Sequence, residues 1–425
     1  VILALLLAVQ VSGGDSLPRI TLREALERSA RLDPNYVRAL GGVDNAEWGR
    51  VAALTAFVVP TLTASTDITR ADQPLFNFGT GTALKKSSSA TLTARLDLFT
   101  GGQKLAGWRQ ARAQLEAAQA TEAQARFASA LLTESDYYAA LAAEELTRVT
   151  TNRVRRAEEQ LTIARARVQS GAAVQTDSLQ LLLELSRAQV DSLRQHSTLR
   201  NARLELGRRV GLPIGAEPVP LDTVAAQPLP FSFDDAVRRA LAQGPAYRIA
   251  RANERSAQAQ LFGRRGSYLP RASLTMTKSA FDSTFFPSLV NRTLFTLTVS
   301  LPIWDGAQRE IALSQARVNR DVARAIREDL ERAGRRDVGV AYDAYETARA
   351  QFALNTSALA VARENFRVQD TRYRSGATTI LDLLDAQFSL TQAEADLVQA
   401  RFTTRLALAA LEAMLGERLF SQDNQ

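Results

Sequence analysis

Residues able to do chemistry are sparse in this sequence, and their spacing points away from catalysis. Asp382 and Asp385 are three apart on a predicted helix, so their carboxylates share one face. Acids at a helix start are favoured by the macrodipole alone, which is the plain reading of the pair. The chain has no Cys and a single His, His196, in a polar helical stretch. That excludes a disulfide scaffold, a thiolate zinc site, an iron–sulfur cluster, a cysteine nucleophile and a histidine-rich metal cage. Ser, Asp and Glu are plentiful, but without His or Cys partners no nucleophile–base pair is recognisable. Gly79-Thr80-Gly81 lacks the Gly-Lys-Ser/Thr that completes a phosphate loop. No catalytic, cofactor-binding or metal site is expected, and the chain does not read as an enzyme.

The formal charge of +7 on 425 residues comes from arginine, since Lys85, Lys86, Lys104 and Lys278 are the only lysines. The arginines alternate with acids, as in Arg153-Val154-Arg155-Arg156-Ala157-Glu158-Glu159. A nucleic-acid face needs basic clustering with aromatics between, so no nucleic-acid partner is expected. A hydrophobic content of 46% argues against disorder.

The elements that must position these residues are legible from proline placement. No proline lies between Pro74 and Pro213 or after Pro302, and those stretches are rich in Ala, Leu, Gln, Glu and Arg. They predict helices at 103–169, 174–209, 307–374 and 379–415. The longer two would each run roughly 100 Å at 1.5 Å per residue. Leu383, Ala386, Leu390, Ala393, Leu397, Ala400, Thr404, Ala407, Leu411 and Met414 form a heptad seam with Ala at alternate places. The preceding helix carries two stripes, Leu354, Val361, Val368 and Leu359, Phe366, Tyr373, five residues out of phase. Two stripes imply two neighbours, as in a wall or closed ring of helices; one core face read twice is the simpler alternative.

Four segments alternate apolar and polar residues with period two, at about 60–70, 89–99, 270–280 and 293–302. Tilted strands of about ten residues match an outer-membrane span; a soluble sandwich face is the other reading. Phe76, Phe78, Phe281, Phe285 and Phe286 in the connecting segments suit an aromatic girdle. Four strands cannot close a barrel, and open edges are forbidden in lipid, so several copies would have to share one.

The sequence also repeats. Gly101 matches Gly306, Gln110-Ala111-Arg112 matches Gln315-Ala316-Arg317, and Ser170-Gly171-Ala172 matches Ser375-Gly376-Ala377. Thr21 with Glu24, and Ser232 with Asp235, open the two halves with capping-box patterns. The expected division is a signal-peptide remnant at 1–14, a first repeat at 15–210, a proline-rich linker at 211–230, a second repeat at 231–416 and a tail at 417–425. The remnant rests on the apolar run Val1–Val11 followed by Ser12-Gly13-Gly14.

The turn Tyr373-Arg374-Ser375-Gly376-Ala377-Thr378-Thr379-Ile380-Leu381-Asp382-Leu383-Leu384-Asp385-Ala386 resembles the Tyr-x-x-Gly turn and DVLDA-like run of the outer membrane efflux protein family, the TolC-like channels. Ser170-Gly171-Ala172-Ala173-Val174-Gln175-Thr176-Asp177 resembles the matching first-repeat turn. The resemblance implies a mainly α fold with a small β part. Long antiparallel helices would form a trimeric α-helical barrel, and four strands per protomer a shared twelve-stranded transmembrane β-barrel. It implies an outer-membrane location with a large periplasmic part. The role would be a passive duct of a tripartite efflux or type I secretion system. A periplasmic adaptor (membrane fusion protein) would open it and an inner-membrane pump of RND or ABC type would drive it. Outer-membrane lipid would surround the homotrimer. Residue by residue, it implies an entrance constriction at Asp382 and Asp385, and a closed-state latch of Tyr373, Asp177 and Thr176. Adaptor-docking turns would lie at Ser170, Gly171, Ala172, Ser375, Gly376 and Ala377. The family's latch arginine is Thr378 here, leaving Arg372 or Arg374 as substitutes. The competing reading is a soluble periplasmic coiled-coil adaptor or structural protein, which the paired strands disfavour.

Overall fold

A computed structural model describes residues 17–77, 81–220, 227–282 and 290–420. The expected signal remnant at 1–14, the girdle residues Phe78, Phe285 and Phe286, linker residues 221–226 and the tail from 421 lie outside the described residues. In chain order the elements are β1 (Arg19–Ile20), α1 (Leu22–Leu32), α2 (Pro34–Thr55), β2 (Thr61–Asn77), β3 (Thr82–Phe99), α3 (Gln103–Gln169), α4 (Gln175–Arg209), β4 (Glu217–Pro218), α5 (Phe233–Gln243), α6 (Pro245–Arg265), β5 (Arg271–Asp282), β6 (Val290–Ser300), α7 (Gln308–Arg374) and α8 (Ile380–Leu415). The chain is thus mostly helical with a small sheet part. Two compact units emerge, one from 1–37, 124–240 and 336–425, the other from 38–123 and 241–335. Each unit takes segments from both sequence halves.

In the first unit, Tyr137, Tyr138, Leu206, Val398 and Phe402 pack with Ile20 and Leu22 in a buried cluster. The Tyr137 hydroxyl donates to the Val219 carbonyl at 2.6 Å, beside the parallel pair β1–β4. This part of the proline-rich join is therefore packed structure: Glu217–Pro218 is a strand and Ala216 is fully buried. Ser232 and Asp235 form the reciprocal cap before α5, with Asp235 N donating to Ser232 Oγ and Ser232 N to Asp235 Oδ2. At α1 only half of the box forms. Thr21 Oγ1 accepts from Glu24 N, but the Glu24 carboxylate takes Arg28 one turn on. The α8 seam is inside, with Leu383, Ala386, Leu390, Ala400, Thr404 and Leu411 buried. The two α7 stripes have different fates. Leu359 and Tyr373 are buried, whereas Leu354, Val361 and Val368 are 69%, 71% and 38% exposed.

In the second unit, β2, β3, β5 and β6 form a four-stranded antiparallel sheet in that order, leaving β2 and β6 as edges. The first hairpin is longer than the alternation predicts, because β2 and β3 continue past a register shift after Arg70 and take in residues 71–77 and 82–88. Those added residues are polar or mixed on both faces, so period two does not announce them. The register puts Leu62, Ala94, Met276 and Phe295 in one row and Leu96, Leu274 and Leu297 in the next. Rows of the opposite face read Thr61, Arg95, Thr275, Thr296 and Ser65, Thr91, Ser279, Arg292. The apolar face is uncovered: Leu62, Phe295, Leu297 and Val299 are all more than 60% exposed. Phe76, the described member of the expected girdle in the first connecting segment, is also exposed.

Every strand–helix junction adds exposed apolar or aromatic residues that the sequence reading missed. They are Phe57 and Val58 before β2, Phe99 at the end of β3, Tyr268 and Leu269 before β5, and Ile303 and Trp304 after β6. Cations sit against this belt. Arg309 lies 4.9 Å over the Tyr268 ring and donates to the Pro302 and Ile303 carbonyls, and Lys104 lies 5.9 Å from the Phe57 ring.

Candidate functional site at the helical turns

The α3–α4 and α7–α8 turns are built alike. Gly171 and Gly376 take φ of +73° and +79°, a region that costs a residue with a Cβ. The Ala172 N–H donates to the Arg167 carbonyl at 2.8 Å and the Gly171 N–H to Val168 at 3.1 Å. In the second turn Ala377 donates to Arg372 at 2.8 Å and Gly376 to Tyr373 at 3.0 Å. This paired closure satisfies helix-end carbonyls otherwise left without partners. Ser170 and Ser375 each donate to the arginine carbonyl three residues back at 3.0 Å. Glycine, serine and the small Ala172 and Ala377 leave both turns exposed.

The helix after the second turn opens on a full capping box. Thr379 Oγ1 accepts from Asp382 N, and Asp382 Oδ2 accepts from Thr379 N at 3.2 Å. The same oxygen takes the hydroxyls of Thr379 and Thr378 at 2.7 and 2.8 Å. Those hydroxyls, with the Thr379 N–H, hold the Asp382 carboxyl below its ordinary range. Thr378, which occupies the place of the family's arginine, is thereby committed to the cap. Asp385 is exposed and forms no ion pair or side-chain hydrogen bond among the described residues. Leu381 and Phe388 are 64% and 66% exposed beside it.

Tyr373 is 2% exposed, packed with Leu161, Ala164, Leu181, Ile380 and Leu383. Burial pushes its phenol above the ordinary value, Asp177 adds to that, and Arg167 opposes it. The Tyr373 hydroxyl has no hydrogen-bond partner among the described residues, so Asp177 acts on it through charge and not through a bond. Asp177 is half-buried in the first turn of α4, and Thr176 beside it is exposed. Arg374, the other residue of the expected latch, is exposed, and its Nε pairs with Asp370 at 2.8 Å, one turn back on α7. Arg372 closes its own turn on the Ala377 carbonyl. The residue that the sequence reading missed is Arg167. Its guanidinium lies 4.9 Å over the Tyr373 ring and donates to the carbonyls of both Tyr373 and Ala172. It is the 205-residue counterpart of Arg372, and that repeat was the signal available in the sequence.

A planar guanidinium serving two carbonyls and a ring face has no equivalent in lysine. Arg167→Ala should therefore loosen both turns by about 1–2 kcal/mol, and Arg167→Lys should not rescue it. Amide hydrogen exchange at 170–172 and 375–377 is the check. Unchanged protection at 375–377 would show that the arginine does not couple the turns.

Against known families, the model described as outer membrane efflux protein matches residues 21–212 and 236–417. The chain belongs to the outer membrane efflux protein family. Efflux proteins similar to it include the pyoverdine export outer membrane protein OpmQ of Pseudomonas putida. It is 27% identical over 291 residues, 66% of this chain and 60% of that protein. Outer membrane protein OprJ of Pseudomonas aeruginosa is 30% identical over 165 residues, 38% of this chain and 34% of its own. The matched part spans no more than about 60% of these curated relatives' length. Among solved structures, a membrane protein from Pseudomonas aeruginosa superposes with a TM-score of 0.78 at 21% identity, covering 93% of this chain and 90% of that one. The outer membrane protein VceC of Vibrio cholerae gives 0.75 at 16% identity, covering 94% and 97%. These last two likenesses concern the fold. The family is one of efflux channels and not of enzymes. Among the described residues no helix is long and apolar enough to cross a membrane, and no group of His, Cys, Asp and Glu is placed to hold a metal ion. His196 is exposed on α4.

Proposed function

We propose that this chain is the outer-membrane duct of a tripartite efflux or type I secretion system. Three copies close a twelve-stranded barrel. The observation that carries the reading is the uncovered sheet: the rows of one face nearest the helices are apolar, that face turns mixed farther along at Lys278 and Thr293, the other face is mostly polar, and both edges are open. A face with that alternation suits lipid outside and water inside. Open edges in lipid cost several kcal/mol per unpaired group, so β2 of one copy pairs with β6 of the next. Junction aromatics are the expected interfacial anchors. The exposed α7 stripe gives the helices a matching surface for a neighbouring copy.

At the turns, Asp385 supplies the carboxylate ring of the entrance, because Asp382 Oδ2 is occupied by its cap. Exposed Gly171 and Gly376 turns receive the periplasmic adaptor, an RND or ABC pump drives transport, and Tyr373, Asp177 and Thr176 hold the entrance shut with Arg167 in place of the family's arginine. Opening separates the turns, so Asp177→Ala with Tyr373→Phe should raise single-channel conductance in planar bilayers. The test of the whole reading is the particle extracted from outer-membrane fractions in mild detergent. A mass of three chains with ion conductance supports it; a soluble monomer overturns it and favours the coiled-coil adaptor.

A further inference from the structure

Within the second unit, α3 and α6 border a cleft of about 390 Å³. Its apolar part is Trp108 and Phe262, with buried Ala113 and Ala259. Its polar part holds three guanidinium groups, Arg109, Arg112 and Arg255, against one carboxylate, Glu116. Arg255 takes Glu116 at 2.6 Å and Arg112 approaches it at 3.6 Å. Arg109 stacks 5.4 Å over the Phe262 ring and forms no ion pair among the described residues. Two positive charges are therefore uncompensated beside an aromatic wall.

Chain position says where this cleft lies in the membrane reading. Trp108 is five residues into α3, whose start follows β3 by four residues, and Phe262 is three residues from the end of α6. At 1.5 Å per residue, both rings sit within about 10 Å of their helix ends next to the sheet. That depth falls below the junction belt of Phe99, Tyr268 and Leu269, at the level of lipid headgroups. Guanidinium groups bind phosphate oxygens with paired donors, and an aromatic wall takes the apolar part of the same molecule.

We infer that the cleft holds an anionic phospholipid of the leaflet next to the junctions. Its phosphodiester sits on Arg109 and Arg255, and its glycerol and upper acyl carbons lie against Trp108 and Phe262. The inference rests on the sheet being the membrane part. Inorganic phosphate shares the headgroup chemistry and is the competing occupant.

Native mass spectrometry of the full chain in its extracted form tests this, with phosphatidylglycerol or phosphatidylcholine added to the detergent. Phosphatidylglycerol should be retained about tenfold better, and Arg109→Gln with Arg255→Gln should remove most of that preference. Arg109→Gln alone, which breaks no ion pair, should lose a large part and guards against a misfolded double variant. Arg148→Gln, on α3 and exposed, should change nothing. Equal preference in wild type and variants overturns the site. So does displacement of the lipid by millimolar inorganic phosphate, which would make it a site for the free anion. A particle that assembles and conducts but shows no lipid preference rejects the cleft alone; one that never enters bilayers rejects the duct reading beneath it.

Discussion

Replacing Leu354 and Val361 together by aspartate should leave each chain folded and abolish the proposed trimer. The two side chains are 69% and 71% exposed on α7, seven residues apart, with Val340 before them and Val368 after them at heptad spacing. Their opposite face is already satisfied inside the chain, where Tyr345, Ala348, Leu359 and Tyr373 are buried. Neither substitution therefore touches the core. Burying a Leu or Val contributes about 1.5–3 kcal/mol, and a closed trimer repeats the contact at each interface. Introducing charge there replaces that gain by desolvation. Light scattering in detergent should find the variant as single chains with wild-type helicity by circular dichroism. A variant that remains trimeric would show that this stripe faces water, and that the sheet edges alone hold the copies together. Exposed apolar residues on α4, namely Leu179, Leu183, Val190 and Leu193, are the natural complement of the stripe, and Leu193→Asp should weaken assembly in the same assay.

That stripe is legible in the amino-acid sequence alone, since period-seven spacing records a neighbour whether or not the neighbour is present. Helix ends are legible for the same kind of reason. Gly171, Gly376 and Gly416 take left-handed backbone, and Thr379 with Asp382 writes a cap in side-chain oxygens. What escapes is long-range. Nothing local in Arg167 says that it crosses to the Tyr373 carbonyl 206 positions on, and Arg374, nearer in sequence, is drawn back by Asp370 at helical spacing. The junction belt escapes because Tyr268 ends a single 3-10 turn and Ile303 and Trp304 sit in a short irregular segment, both too short to show a period. The residues 71–77 and 82–88 of the first hairpin escape because alternation fades there while backbone pairing continues.

Gly101→Ala should be the most damaging single methyl in the second unit, although the glycine lies far from the helical turns in sequence. Gly101 has φ of +62°, and a Cβ there would stand 2.2 Å from the Gly266 carbonyl oxygen and 3.0 Å from Leu269 Cβ. The collision is with backbone, so no rotamer relieves it. Left-handed backbone adds about 1–2 kcal/mol of its own for a residue with a Cβ. Together the expected loss exceeds about 3 kcal/mol, in the range reserved for overpacking plus strain. Two companions separate the terms. Gly306→Ala, at φ +69° with nothing within 4 Å, carries the dihedral cost alone, about 1–2 kcal/mol, and should lose the least of the three. Gly266→Ala meets the Gly101 carbonyl oxygen at 2.1 Å from ordinary backbone, and so carries the collision alone. Gly101 follows β3 and Gly266 precedes β5, so their contact fixes how two central strands leave the sheet for α3 and α6. The three variants should therefore rank Gly101→Ala, Gly266→Ala, Gly306→Ala in loss of heat-resistant particle from outer-membrane fractions. Equal, small losses at Gly101 and Gly306 would show that the backbone gives way at the junction and that this close approach does not set the strand exit.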